Sequence, residues 1–183
     1  KGKILFTHFG VSGPLILNSA REVSELLYEG EVRAEIDMYP DTDLGTLEKN
    51  VIKVFDGHKN KTLKNVLDLV VPRGVAKGML HLLDEKIVDT KVHSITKEER
   101  KMIVHLLKKM PLTVEGLMGF DWAVISDGGV SLEEVDTKTM RSKLFKNLYL
   151  TGDLLHINRP SGGYSLQLCW TSGYVVGKSI ARK

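Results

Sequence analysis

The spacing of apolar residues changes twice along this chain of 183 residues. Up to residue 40, and again from residue 112, apolar residues form short runs or alternate with polar ones, which is typical of β-strands. Between residues 41 and 111 they recur every three or four positions, as in helices. The pattern predicts a β segment with one helix at 1–40, a helical subdomain at 41–111 and a returning β segment at 112–183.

Start and stop signals locate the individual elements. Pro14 and Gly30 predict the two ends of a first helix, and a capping box at Thr96 and Glu99 predicts the start of another. The predicted helices cover residues 14–29, 44–55, 63–70, 75–83, a stretch from 97, and 163–180. The predicted strands are a buried one at 3–8, a half-buried one at 32–38, and three at 112–117, 121–127 and 147–153.

Composition excludes several classes of protein. No stretch reaches the roughly 18 apolar residues of a membrane span. A single cysteine, Cys169, excludes an internal disulfide and favours a reducing cytoplasm. The chain contains neither a G-x-G-x-x-G fingerprint nor a P-loop, and its six histidines lack metal-ligand spacing, so no metal site is expected. The chain also begins within a strand-like run, and we therefore expect it to be a fragment of a longer protein.

The helical subdomain carries 14 Lys and Arg residues and 10 Asp and Glu residues. We interpret most of these charges as solvated helix faces, and the formal net charge of +3 is small for a nucleic-acid binder. A surface that binds RNA is the alternative, although no aromatic residues interleave the basic ones as a stacking platform requires.

The stretch "GDLLHINRPSGGYSLQLCWTSGYVVGKS" (152–179) combines an acidic residue with a glycine-led helix start. Asp153 follows an apolar run and can accept hydrogen bonds from ligand hydroxyls. Gly162 and Gly163 allow a flat or anionic group to approach the backbone closely, and the helix dipole behind them favours negative charge. The same pattern also fits an Asp turn followed by a glycine-rich helix cap, so the residues alone leave both interpretations open. We expect Gly173 and Gly177 to let this helix pack closely against a neighbour.

Three stretches carry a resemblance to a known family: "LFTHFGVSGPLIL" (5–17), "ISDGGVSLEEVDTKTMRSK" (125–143) and "LYLTGDLLHINRPSGGYSLQLCWTSGYVVGKS" (148–179). They resemble bacterial BaiN/YhiN-type, aminoacetone-oxidase-like, NAD(P)/FAD-dependent oxidoreductases. The resemblance implies an α+β, multi-part fold. A β-barrel-like segment would be followed by a helical insertion subdomain and by the C-terminal strand and helix of a Rossmann-like FAD domain.

The resemblance also implies roles for individual residues. Those expected to contact FAD are Gly152, Asp153, Gly162, Gly163, Tyr164, Ser165 and Leu166. Those expected to face the flavin or the substrate are His8, Gly10, Ser12, Gly13, Gly128, Gly129 and Val130, with Asp127 a weaker candidate. The family often has Glu at position 153 and Asp near position 156, where this chain has Asp and His, so no role for His156 is inherited. No catalytic residue is identified.

The resulting prediction is a fragment of a cytoplasmic FAD-dependent oxidoreductase. In the parent protein, FAD would accept a hydride or electron pair from a small substrate and pass it to oxygen, nicotinamide or another acceptor. NAD(P) is a further candidate cofactor. The missing partner is the N-terminal half of the same protein, without which the fragment should hold no FAD and be inactive. We expect no membrane or nucleic-acid partner. The alternative is a non-catalytic module whose basic helices bind a protein or RNA.

Overall fold

The computed structural model describes residues 1–123 and 128–181. These residues divide into two compact units. The first, the helical unit, comprises residues 29–115 together with Lys1. The second, the glycine-rich unit, comprises residues 2–28 and the described residues from 116 onward. The three-part division expected from the sequence stays a prediction.

The helical unit contains one antiparallel strand pair. Strand β3 (Val32–Ile36) pairs with β4 (Met110–Val114), so that Ala34 lies opposite Leu112. β3 ends four residues before Pro40, the residue that ends the apolar alternation, and β4 follows the last helix of the unit. The helices between the two strands are α2 (Leu44–Gly57), α3 (Arg73–Leu80), α4 (Glu85–Val88) and α5 (Lys97–Lys108).

Side-chain caps fix the starts of the longer helices in this unit. The Asp43 carboxylate accepts a hydrogen bond from the Thr46 N–H at 3.0 Å, which begins α2. At α5 the predicted capping box is confirmed: the Glu99 N–H donates to the Thr96 hydroxyl, and the Thr96 N–H donates to the Glu99 carboxylate. The apolar faces of α2 and α5 then pack into one core, through Leu47, Val51, Phe55, Ile103, Val104 and Leu107.

The helix predicted over 63–70 is wrong. This segment forms two separate 3₁₀ turns, Leu63–Asn65 and Leu67–Leu69. Leu63 and Val66 are three residues apart and both fully buried, and a 3₁₀ helix has three residues per turn. A second difference is the short α4, which the sequence analysis did not predict and which begins where the Asp84 side chain accepts from the Lys86 N–H.

The glycine-rich unit contains two strand pairs and two long helices. Strands β1 (Leu5–Thr7) and β2 (Gly10–Ser12) form an antiparallel hairpin that leads into α1 (Pro14–Glu29). Strands β5 (Val135–Asp136) and β6 (Arg141–Ser142) form the other pair, and α6 (Tyr164–Ala181) follows near the end of the chain. The helices predicted over 14–29 and 163–180 are therefore confirmed.

Two strand predictions fail in this unit, that of a buried strand at 3–8 and that of a strand at 147–153, and a third, at 121–127, lies largely outside the described residues. β1 is not buried, since 60% of Leu5 is exposed. Part of the segment 121–127 forms a 3₁₀ turn, Phe120–Trp122, and residues 124–127 lie outside the described part of the chain. Segment 147–153 forms no strand. It makes one isolated antiparallel bridge, between Tyr149 and Arg141, and ends in a 3₁₀ turn at Gly152–Leu154.

The protein is thus a mixed α/β protein, as expected, but its sheets are small. All three have two antiparallel strands, and residues 1–123 and 128–181 form no closed barrel. The β-barrel-like segment implied by the resemblance is accordingly not seen as a barrel in this part of the protein. Within the same residues, no helix is both long and apolar enough to cross a bilayer.

Candidate functional site

The turn Gly152–Leu154 is packed tightly against the middle of α6. Gly152 is buried with φ +60°, and its N–H donates to the Ser172 hydroxyl at 2.9 Å. A Cβ at this position would lie 2.7 Å from the Cys169 Sγ. Glycine is therefore required here by its backbone angle and by the neighbouring helix. These contacts explain Gly152 by packing, before any ligand is considered.

Asp153, the next residue, is paired with Arg159. The Arg159 guanidinium makes an ion pair with the Asp153 carboxylate, donates through Nη1 to the Ile157 carbonyl at 2.7 Å, and donates through Nε to the Ser165 hydroxyl at 2.8 Å. Only 8% of the Arg159 side chain is exposed, compared with 54% of the Asp153 side chain. One guanidinium therefore joins the acidic turn to the first turn of α6.

Sequence reasoning missed Arg159. An Arg in a loop beside Pro160 carries no pattern of its own, because its three acceptors come from three separate positions along the chain. The distance in sequence is short: Asp153 and Ser165 each lie six residues from Arg159. This short spacing could have predicted the role of Arg159, because an Arg midway between a carboxylate and a predicted helix start can form hydrogen bonds to both.

The start of α6 presents open backbone. Gly162 has φ +107°, and neither it nor Gly163 has any atom within 4 Å of where a Cβ would lie. The first side chains of the helix, Tyr164 and Leu166, are 60% and 58% exposed. This combination leaves room for a flat group to approach the backbone of the paired glycines, as their sequence predicted.

The loop before α6 also contacts the start of α1. The Ser161 N–H donates to the Asn18 side-chain oxygen at 2.6 Å, and the Ser161 hydroxyl donates to the Pro14 carbonyl at 3.4 Å. Gly13, the residue before Pro14, has φ +103°, and a Cβ there would lie 2.9 Å from the Lys3 carbonyl oxygen. The structure therefore brings the Gly13–Pro14 turn next to the glycine-rich loop.

Residues 128–130 run alongside 154–156. Val130 and Leu155 form a parallel bridge: the Val130 N–H donates to the Leu154 carbonyl at 2.8 Å, and the His156 N–H donates to the Val130 carbonyl at 2.9 Å. Gly129 has φ +118°, and a Cβ there would lie 2.7 Å from the Leu154 carbonyl oxygen. Gly129 is thus required for this pairing. Asp127 lies outside the described residues.

The remaining predicted residues lie on the β1–β2 hairpin. His8 sits in its turn, between the paired residues Thr7 and Gly10, and its ring packs edge-to-face on Phe9 with centroids 4.7 Å apart. Phe9 in turn contacts Trp122 at 5.7 Å. Ser12 ends β2. The structure thus connects the Gly13–Pro14 turn and the Gly129–Val130 segment with the segment 152–166. His8 instead joins an aromatic group with Phe9 and Trp122, and Gly10 lies at the start of β2.

These residues can accommodate part of a flavin cofactor. The open backbone at Gly162 and Gly163 lies at the positive end of the α6 dipole, which suits the electron-rich edge of a flavin ring. Asp153 presents a half-exposed carboxylate that can accept a hydrogen bond from a ligand hydroxyl, and Arg159 pairs with its Oδ1. Among the described residues, no group of three or more His, Cys, Asp and Glu side chains is arranged to bind a metal ion.

A family model described as "HI0933-like protein barrel and H2TH domain" matches residues 1–125. The chain belongs to this HI0933-like family. The match covers the β1–β2 hairpin, α1 and the whole helical unit, and it ends before the Asp153 turn and α6. The family description names a barrel, and among residues 1–123 of the matched region the strands are those of the β3–β4 pair and the hairpin.

Curated relatives align with 97% to 100% of the chain. It is 29% identical to the 3-dehydro-bile acid delta(4,6)-reductase of Clostridium scindens, over 100% of this chain and 44% of that protein. It is 28% identical to the ribosomal RNA dihydrouridine synthase of Haemophilus influenzae, over 99% and 43% of the two chains, and 27% identical to that of Escherichia coli, over 97% and 42%. The chain thus spans less than half the length of these relatives.

Proposed function

We propose that this chain forms part of an FAD-dependent oxidoreductase of the BaiN/YhiN type, and that its glycine-rich unit holds the ribityl chain and ring edge of FAD. The observation that supports this proposal is the Arg159 bridge. It places the Asp153 carboxylate and the Ser165 hydroxyl around one guanidinium, directly beside open glycine backbone. In this proposal Asp153 binds a ribityl hydroxyl, while the Gly163 and Tyr164 amides face the pyrimidine edge.

The names of the relatives suggest which class of reaction the parent protein catalyses. A delta(4,6)-reductase acting on a 3-dehydro bile acid reduces a ring C=C bond conjugated with a ring carbonyl. A dihydrouridine synthase yields a uracil ring with two added hydrogens. We therefore propose that the parent protein adds a hydride and a proton across a C=C bond conjugated with a ring carbonyl. The reduced cofactor would supply the hydride and be oxidised, and solvent would supply the proton. A nicotinamide dinucleotide would be the source of the electron pair that reduces the cofactor again.

FAD supplies the electron pair when bound, and this chain positions it. Asp153 and the paired glycines orient the ring system, and the packed turn at Gly152 holds Asp153 against α6. His8, Gly10, Ser12 and Gly128 are proposed to face the cofactor or the substrate, and no residue is assigned to proton transfer.

The same proposal names the missing partner. Leu166, Trp170 and Tyr174 recur every four residues along α6 and are 58%, 66% and 68% exposed. Gly173 and Gly177 have nothing within 4 Å of a Cβ position, so the close packing expected at them is not present within the described residues. We propose that the N-terminal half of a cytoplasmic parent covers this face of α6 and binds the rest of FAD. The isolated chain should therefore bind FAD poorly.

The test uses protein of the full length of the relatives. We expect it to purify with one FAD per chain, visible in its absorbance spectrum. Asp153→Ala should weaken FAD binding about tenfold, because a charge-assisted hydrogen bond is lost. Glu133→Ala, an exposed acidic residue in the same unit, is the matched control and should bind normally. A full-length protein that binds no FAD, or an Asp153→Ala variant with unchanged affinity, contradicts the proposal.

A second candidate function, RNA binding, is favoured by the charge distribution of the helical unit. Residues 29–115 contain 15 Lys and Arg and 15 Asp and Glu residues, yet segments 59–64 and 86–93 contain five lysines and one aspartate. The two segments lie side by side: Thr62 and Lys91 form an antiparallel β-bridge, and the Val92 N–H donates to the Lys61 carbonyl at 3.0 Å. In the described part of the chain, no ion pair is recorded for Lys61 or Lys91.

Binding of a labelled RNA hairpin, followed by fluorescence anisotropy, tests this candidate. If these lysines contact phosphates, affinity should fall steeply between 50 and 200 mM salt. The double variant Lys61→Glu/Lys91→Glu should then bind at least tenfold more weakly than Lys49→Glu/Lys53→Glu, which makes the same charge change on α2. Equal affinities for the two double variants would rule out the surface.

A further inference from the structure

The Arg159 guanidinium is almost fully buried, and burying a charge is costly unless the charge is paired and hydrogen-bonded. Here the guanidinium has an anionic partner in Asp153, and neutral acceptors in the Ile157 carbonyl and the Ser165 hydroxyl. Arg suits this position because its planar group carries five N–H donors in a fixed geometry. The three acceptors therefore hold the guanidinium in one place.

In this position the Arg159 guanidinium adds a formal positive charge to the start of α6. The helix dipole contributes about half a positive charge at this end. Arg159 contributes a full positive charge within hydrogen-bond distance of Ser165 in the first turn, and Asp153 contributes a full negative charge on its other side. The pair as a whole is neutral, so the local potential depends on both members being present.

We infer that Arg159 is a positioning residue that, through its pairing with Asp153, sets the charge beside the open glycine backbone and thereby the reduction potential of the bound flavin. This inference rests on the proposed function. Reduction of the flavin places additional negative charge on its ring. The positive member of the pair therefore favours the reduced form of the cofactor, and the negative member favours the oxidised form.

The two members predict opposite shifts. Arg159→Gln leaves the Asp153 carboxylate unpaired, so the affinity for reduced FAD should fall about tenfold relative to oxidised FAD. For a two-electron couple this lowers the midpoint potential by about 30 mV. Asp153→Asn leaves the guanidinium unpaired and should raise the potential by about the same amount. The double variant Arg159→Gln/Asp153→Asn has no charge at either position and should return close to the wild-type potential.

The experiment is a redox titration of the full-length holoprotein and these three variants. Lys178→Gln is the control, since this substitution removes a positive charge 13 residues after Ser165 on α6, about 20 Å away, and should leave the potential unchanged. Arg159→Lys keeps the charge but loses the planar geometry, so it should hold the wild-type potential while binding FAD more weakly.

The outcomes separate this inference from the proposed function. Wild-type protein without FAD overturns both. Wild-type protein with FAD, but with single variants that shift the potential in the same direction or not at all, overturns the role of Arg159 and leaves the proposed function standing. If Arg159→Gln fails to fold, the sign of the Asp153→Asn shift decides, because Asp153 is half exposed and Asn keeps an oxygen that can accept a hydrogen bond from the guanidinium.

Discussion

The two units of this protein are stabilised in different ways. In the helical unit, 18 buried apolar residues form a single core, whereas the core of the glycine-rich unit contains three: Val135, Met140 and Leu155. Of the 23 large apolar side chains exposed in the described part of the chain, 19 belong to the glycine-rich unit. One unit buries its apolar surface within itself, and the other leaves much of it at the surface.

This difference indicates what each unit is suited to do. The helical unit is stabilised by burial, with side-chain caps at its helix starts. The glycine-rich unit relies on close backbone contacts at Gly129 and Gly152, and on the hydrogen bonds of Arg159. Large exposed apolar patches mark surfaces that bind a ligand or another part of a protein. The exposed side chains of the glycine-rich unit therefore support the proposal that another part of the parent protein covers it.

The largest expected change in stability distinguishes the buried core of the helical unit from the exposed face of α6. Leu67 is fully buried in the helical unit, so Leu67→Ala should lower the free energy of unfolding by about 3 kcal/mol through the cavity it leaves. Trp170→Ala, on the exposed face of α6, should change it by less than about 0.5 kcal/mol in this chain. Urea unfolding followed by circular dichroism measures both. A large effect of Trp170→Ala would show that α6 is covered within the chain itself.

The next effect concerns two glycines at the candidate site. Gly152→Ala should destabilise the protein by about 2 kcal/mol, because the new methyl group meets the Cys169 Sγ and the backbone angle is unfavourable. Gly163→Ala has open space around it and should be neutral. Combining Gly152→Ala with Cys169→Ala should recover part of the loss, which thermal unfolding can detect. Equal effects of Gly152→Ala and Gly163→Ala would contradict the packing described here.

The smallest effect lies in the helical unit. The Lys108 ammonium pairs with the Asp37 carboxylate at 2.5 Å and donates to the Tyr39 and Thr42 carbonyls at 2.9 and 3.0 Å. Lys108→Met should cost about 1 to 2 kcal/mol at pH 7, the lower figure reflecting the screening of a partly exposed pair. Urea unfolding of the two proteins gives this difference directly.

The pH dependence of that difference provides a check. Desolvation raises the pKa of Asp37, but the hydrogen bond and charge of Lys108 and the Tyr39 N–H outweigh it and hold the pKa below its ordinary value. A lowered pKa gives stability above the unfolded-state pKa of about 4 that is lost as the pH falls through the folded-state pKa. The wild type should therefore lose the ion-pair part of its advantage over Lys108→Met in acid and keep the part that comes from the Tyr39 and Thr42 carbonyls. An advantage that is as large at pH 2 as at pH 7 would exclude the ion pair as a source of it.

Local signals predicted the elements that depend on local chemistry. Pro14 and the Thr96–Glu99 box marked helix starts correctly, and so did the paired glycines before α6. The prediction failed at residues 147–153, where an apolar run reads as a strand but makes only one bridge before the turn on α6. Such a run becomes a strand only if another segment pairs with it, and the run itself does not show which segment that is.

The candidate site shows the same limit. The sequence predicts Asp153 and the glycines as site residues because a carboxylate and a glycine pair have recognisable chemistry. Their true connection, Arg159, was not found, since its role exists only once Asp153, Ile157 and Ser165 have been brought around it. The packing roles of Gly129 and Gly152 were likewise hidden, because the atoms that exclude a side chain come from other segments.

The most direct test of the proposed FAD site is amide hydrogen exchange of the full-length apoprotein with and without FAD. The account predicts that FAD slows exchange in peptides covering residues 152–166 and 128–130 and leaves the peptides of α2 and α5 unchanged. Protection confined to the helical unit, or none in the loop before α6 while FAD is bound, would contradict it.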